Sequence, residues 1–229
     1  MIRIYVYTYQ DMDTVFPEGV PSGHPTADRT LGRLACRGVV RSVGVQVRPP
    51  DTSFMRAVIE VFGRLGETLG PLPLPVRAIL MGGTAIHVYT AARVTTDVDA
   101  FFSRRVLVPG DLVVTWDDHG RRRLLTFDPN FFHALALLHP DAESDARPLG
   151  LEPSAGLSLW VLAPVDLAVS KLARWQDRDR RDVEMLAKAR LIDALSLRAR
   201  VDEALRYYVG DPRWLRLHLD DACATIEGA

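Results

Sequence analysis

From Asp51 to Leu69 the apolar residues Phe54, Val58, Val61, Phe62, Leu65 and Leu69 recur at steps of three and four, the period of one helix face. Asp51, Thr52 or Ser53 can cap such a helix, and Gly70 with Pro71, Pro73 and Pro75 stops it. The pattern then changes. Val76 to Met81 (VRAILM) is a short continuous apolar run, a strand, and it leads directly into Gly82-Gly83-Thr84 and a helix through Ile86, Val88 and Tyr89. A further strand is expected at Val98 to Phe102. LVVTW and RRLLTFD flank DDHG and read as a hairpin with Gly120 in the turn, and Leu157 to Leu162 is one more strand.

Pro164 suits the first position of a helix, where its missing amide proton costs nothing, and that helix carries Val165, Ala168, Val169 and Leu172. Beyond it the chain reads as helical through Leu205, Tyr208, Trp214, Leu217 and Leu219. Trp160, Trp175, Trp214, Tyr207 and Tyr208 stand at spacings that suit packing in a core. Residues 1–50 differ from the rest. An alternating run, Ile2, Ile4, Val6, gives way to FPEGVPSGHPTADR, where Gly and Pro prevent regular structure, and RGVVRSVGVQV reads as one more strand. The region is an arm, an added hairpin, or the product of a start codon placed too far upstream.

The expected fold is α+β: an extension at 1–50, a small mixed sheet with helices on one face at 51–163, and a helical carboxy-terminal part at 164–229. At 229 residues, 48% apolar and 25% charged, the composition is that of a globular protein with a sizeable core. A formal charge of −1 supplies no global field for nucleic acid or membrane, so any such binding is local. Arg104-Arg105 and Arg121-Arg122-Arg123 are the local basic clusters, readable as guides for an RNA backbone or as solvated surface. The distant Cys36 and Cys223 make neither a disulfide framework nor a zinc site, and His87, His119, His133, His139 and His218 form no ligand pattern. No apolar run is long enough to span a membrane, and the amino terminus lacks signal-peptide features, so the cytoplasm is the expected location.

The chemistry concentrates in LMGGTAIHVYTAARVTTDVDAFF. Two residues apart on a strand, Asp97 and Asp99 present their carboxylates on one side, where like charges are costly unless a cation lies between them. Oxygen donors with no His or Cys suit magnesium or manganese, which takes further ligands from substrate phosphates. Gly82 and Gly83 let backbone approach those phosphates, and the following helix aims its first amides, Thr84 included, toward them. Each feature alone has an ordinary structural explanation. In strand, turn, helix, strand order, with Arg93, Thr95 and Thr96 leading into the acids, they point to a metal-dependent nucleotide site.

This arrangement resembles the polymerase-beta-like nucleotidyltransferase superfamily, with a Gly-Gly turn, a spacer and Asp-x-Asp. GGTAIHVYTAARVTTDVDAFF, FDPNFFHALALLHPDAESDA and LAPVDLAVSKLARWQDRDRRDVEMLA resemble more narrowly the branch of AbiEii and MenT-type nucleotidyltransferase toxins, over about Phe54 to Ala189. The resemblance implies transfer of a nucleoside monophosphate from a nucleoside triphosphate to an acceptor hydroxyl, with Asp97 and Asp99 holding two metal ions. It implies a third carboxylate, for which Asp128 is the candidate, Asp-Pro-Asn being also a good turn; Asp141 and Glu143 are reserves. Lys171, in the intact motif Asp-Leu-Ala-x-x-Lys-Leu, is implied as a triphosphate contact. Asp182, in the Arg-Asp pair 181–182, is implied as the acid that orients the lysine or assists the acceptor. By charge spacing alone, QDRDRRDVEML is a solvated helix face with Asp177–Arg181 and Arg178–Asp182 pairs. Arg93 would reach a phosphate, and Thr95 matches a hydroxyl that a partner antitoxin can phosphorylate in related toxins. tRNA, protein or a small molecule are the acceptors considered, tRNA being favoured by the resemblance. The rival reading is a catalytically silent nucleotide- or partner-binding module.

Overall fold

A computed structural model describes residues 4–6, 45–70, 75–127 and 137–229. Its secondary structure begins with a short strand β1 (Ile4–Val6); other readings for residues 1–44 lie outside the described residues. Helix α1 (Ser53–Leu69) follows the apolar period, with Thr52 as its cap accepting from the Met55 amide at 3.1 Å. β2 (Val76–Leu80) runs into α2 (Gly82–Thr90) through the glycine turn.

The strand expected across Val98 to Phe102 is instead two. β3 (Asp97–Val98) pairs in parallel with β7 (Arg121–Phe127), whereas β4 (Ala100–Phe102) pairs antiparallel with β2. The chain changes sheets at Asp99. β7 closes a hairpin with β6 (Val113–Asp118), where His119 and Gly120 both take positive φ, 52° and 82°, as a two-residue turn matching strand twist requires. β5 (Val106–Val108) pairs with β1, a short strand the hydropathy pattern did not reveal.

The largest sheet, in the order β4-β2-β9-β8, adds β8 (Arg147–Ser154) and β9 (Leu157–Val161). β2 lies between antiparallel β4 and parallel β9, which explains its buried, apolar sequence. β8 went unrecognised in the sequence because it contains Pro148, Gly150 and Pro153; as an edge strand with two register shifts it tolerates them. Helix α1 packs on β6, β7 and β8. Phe127 of β7 stacks on Phe102 of β4 at 6.0 Å and meets Phe62 of α1 edge-on at the same distance, so aromatic rings fill the junction of the sheets.

Pro164 opens α3 (Pro164–Lys171) as expected, followed by α4 (Asp177–Lys188), α5 (Ala194–Ala204) and α6 (Arg213–Glu227). Leu167, Ala168, Val169 and Leu172 are buried in the same hydrophobic cluster as α1 and β2, so one core crosses residue 163. Together these elements make the expected α+β fold with a helical carboxy-terminal part. The aromatic expectation holds for Trp175, buried and bonded from its ring nitrogen to Asp221 at 2.8 Å. It fails for Tyr207 and Tyr208, in the turn after α5, and for Trp214, in the first turn of α6, all of which lie on the surface. Among the described residues no helix is long and apolar enough to cross a membrane.

Candidate active site

The glycine turn and the two acids meet at the end of β2. Gly82 has φ +58°, and a Cβ there would lie 1.9 Å from Oδ2 of Asp99. The missing side chain is therefore what lets Asp99 lie against the start of α2. The Asp99 carbonyl accepts the Met81 amide at 3.0 Å, which fixes the acid's backbone to the turn. At Gly83 a Cβ would come within 3.1 Å of Thr95 and 3.2 Å of the Arg93 guanidinium, so both glycines are spacers for the segment carrying the acids.

Asp97 is held from its own strand. The hydroxyls of Thr95 and Thr96 donate to its Oδ1 at 2.9 and 3.1 Å. No hydrogen bond within the described residues uses its other oxygen. Two carboxylates, one relieved of rotational freedom and the other seated where a Cβ would have been, are donors suited to a hard divalent cation. Among the described residues no group of three or more His, Cys, Asp and Glu is gathered as a metal site. Asp128 lies outside the described residues. The reserves are engaged elsewhere: Glu143 bonds Arg77 at 2.6 Å, and Asp141 is a surface residue beside His139. Thr84 is fully buried in α2, and its hydroxyl has no hydrogen-bond partner among the described residues.

The helical side brings α4 against α2, with α3 packed on α4. Lys171 ends α3 and is buried, its ammonium 2.8 Å from Asp182 and 3.7 Å from Asp179. Asp182 takes Arg93 on its other oxygen. The Arg178–Asp182 pair expected from helix spacing is thereby replaced: Asp182 faces inward, 1% exposed, and is shared by two cations. Burial lowers the Lys171 ammonium from its ordinary value to about 8, with Asp179 opposing the shift and Arg93 adding to it. Burial also lowers Arg93, with Arg178 acting in the same direction.

Two residues of this cluster were not singled out by sequence reasoning. Asp179 is 1% exposed and receives a two-pronged hydrogen bond from Arg174, Nε to Oδ2 at 2.9 Å and Nη2 to Oδ1 at 2.8 Å. It also accepts the Gln176 amide at 3.0 Å, completing a reciprocal cap at the start of α4. Burial pushes the Asp179 carboxyl up, but the Arg174 bond, the amide and Lys171 together hold it below its ordinary value. A signal was present: Asp179, Asp182, Val183 and Leu186 follow the three-four spacing of a buried stripe.

Residues 57–218 match a family described as nucleotidyltransferase of unknown function (DUF6036), and the chain belongs to that family. No curated protein and no solved structure matches it.

Proposed function

We propose that the protein transfers a nucleoside monophosphate from a nucleoside triphosphate to an acceptor hydroxyl. The observation that carries this reading is the convergence of the glycine turn, the Asp97 and Asp99 carboxylates and the Lys171–Asp182–Arg93 cluster in a nucleotidyltransferase family member. Asp97 and Asp99 would hold magnesium or manganese, which supplies charge neutralisation at the phosphates when bound. The acceptor oxygen bonds to the α-phosphorus while the bond to the bridging oxygen of the β-phosphate breaks. Pyrophosphate leaves, and the hydroxyl proton passes to solvent. Positive charge from the α3–α4 cluster offsets the charge that grows on the leaving group. Asp182, buried between Lys171 and Arg93, suits the role of orienting cations better than that of receiving the acceptor's proton.

For the acceptor we take an RNA hydroxyl, tRNA first, and for the setting a toxin controlled by an antitoxin. Both rest on the resemblance of the motif segments to AbiEii and MenT-type toxins. The test is transfer of label from each α-labelled nucleoside triphosphate, with magnesium or manganese, into total bacterial RNA and protein. Labelled RNA with the native chain and none with Asp97→Asn, Asp99→Asn supports the reading. Triphosphate binding with no transfer to RNA, protein or small-molecule extracts favours the silent module.

A further inference from the structure

The nucleotide-transfer reading needs a cation on the helical side that a triphosphate can touch, and Lys171 is poorly placed for it. Its side chain is 8% exposed, and its ammonium lies among two buried carboxylates. Arg174, one turn further on, is 56% exposed at its side chain. Its Nε and Nη2 grip Asp179, and an arginine has five N–H donors, so those on the far side of the guanidinium are left for a ligand. Its own hydrogen bonds among the described residues go to Asp179 alone. The Asp179 hydrogen bond raises the Arg174 pKa first, and the charges of Asp99 and Asp97 add to it, so the guanidinium stays charged.

Exposure agrees. Lys171, Arg93 and Arg174 are the cations paired with Asp179 and Asp182. Lys171 and Arg93 are the buried members, with side chains 8% and 14% exposed, so of the three Arg174 is the one a ligand can reach. A planar guanidinium already fixed on one edge loses little freedom when its other edge meets phosphate oxygens.

We propose that Arg174 is the side chain that grips the triphosphate from the helical side, with Asp179 as the positioning residue that aims it. Lys171 then serves beneath them, holding Asp179 and Asp182 in place. The inference rests on the nucleotide-transfer reading and goes beyond it in moving the ligand contact from Lys171 to Arg174.

The experiment is equilibrium binding of a fluorescent, non-hydrolysable nucleoside triphosphate to the full chain with magnesium, with inorganic tripolyphosphate and nucleoside monophosphate as competitors. Native protein binds the probe, and tripolyphosphate displaces it. Arg174→Gln weakens the probe and tripolyphosphate at least tenfold and the monophosphate less than twofold, and Arg174→Lys recovers part of the loss. Asp179→Asn reproduces the selective loss, and the Arg174→Gln, Asp179→Asn double variant is no weaker than Arg174→Gln alone. A merely structural role for Asp179 would lower all three ligands together and add to the arginine loss. Arg174→Gln is at a half-exposed side chain, so its result stands even where Asp179→Asn fails to fold. If native chain binds the probe and Arg174→Gln binds it equally, the inference is overturned while nucleotide binding stands. If native chain binds no triphosphate, both fall.

Discussion

Gly82 is the residue whose replacement separates site geometry from general stability. At φ +58° an alanine is strained, and its Cβ would sit 1.9 Å from the Asp99 carboxylate, so Gly82→Ala must move the acid. The expected cost is about 1–2 kcal/mol of folding stability. Transfer activity should fall by roughly a hundredfold, because a displacement of that size spoils the reacting geometry. Thermal denaturation and label transfer on one preparation measure both. Lys171 gives a second prediction, with opposite signs for stability and activity. The unfolded chain keeps the lysine proton up to the ordinary value of 10.5, whereas the folded chain releases it near 8. Between those pH values the unfolded state binds more protons, so this group makes the protein more stable as pH rises, while the cluster loses a positive charge and triphosphate binding weakens. Denaturant midpoints and probe affinity from pH 7 to pH 10, beside Lys171→Arg, check it; the arginine variant lacks this contribution to both slopes.

The residue types of the candidate site stood out in the sequence; their partners did so less. Asp97, Asp99 and the glycine pair stood out because a metal-dependent nucleotide site would need those types at short spacing. Asp179 was harder to see: its place in the stripe with Asp182, Val183 and Leu186 was a signal, but a carboxylate in a charged segment reads as solvated until something shows which face of the helix is covered. The cover comes from α3 just before it and from α2, which is far away in sequence.

Among the elements, α1 and α2 are joined by a polar clasp. Thr52 accepts from the Met55 amide and its hydroxyl lies 2.8 Å from His87 Nε2, while Nδ1 of the same ring donates to the Arg93 carbonyl. The ring is neutral in this arrangement, and burial, partly opposed by the Arg93 carbonyl, lowers its pKa from 6.5. As pH falls below 6.5 the unfolded chain takes up a proton that the folded chain resists, so stability falls. Denaturant titrations from pH 7.5 down to pH 5 should show that slope, and His87→Gln should lessen it. Thr52→Val removes a helix cap and the clasp together, and an expected loss of about 1–2 kcal/mol is read from the same titrations at pH 7.5. Helix α1 was legible from period and cap alone. The division at Asp99 was not, since a short apolar run looks the same whether its neighbours belong to one sheet or two.

At the scale of the molecule, the helical carboxy-terminal part meets the rest by charge as well as by core. Within it, Asp166 on α3 is fully buried and takes a two-pronged bond from Arg200 on α5, at 2.7 and 2.8 Å, and the same Arg200 reaches across to Asp145 at 2.6 Å. Burial raises the Asp166 carboxyl, and Arg200 counters it. Arg200→Met strands that carboxylate, with an expected loss of about 3–5 kcal/mol. Because one hydrophobic cluster runs through both parts, the unfolding transition should remain single and move as a whole, with near- and far-ultraviolet circular dichroism coinciding. Two separated transitions would overturn that expectation.

The passage of the chain between sheets at Asp99 also sets how the protein fails. Asp97 belongs to one sheet, and the residue after Asp99 begins a strand of another, so the gap between the acids works as a caliper whose jaws are the sheets themselves. The Phe102–Phe127 stack is its pivot. Shaving that pivot, as in Phe127→Leu, should let Asp97 shift against Asp99, so that on the proposed function magnesium affinity, followed by titration calorimetry, falls at temperatures where circular dichroism still shows a folded chain.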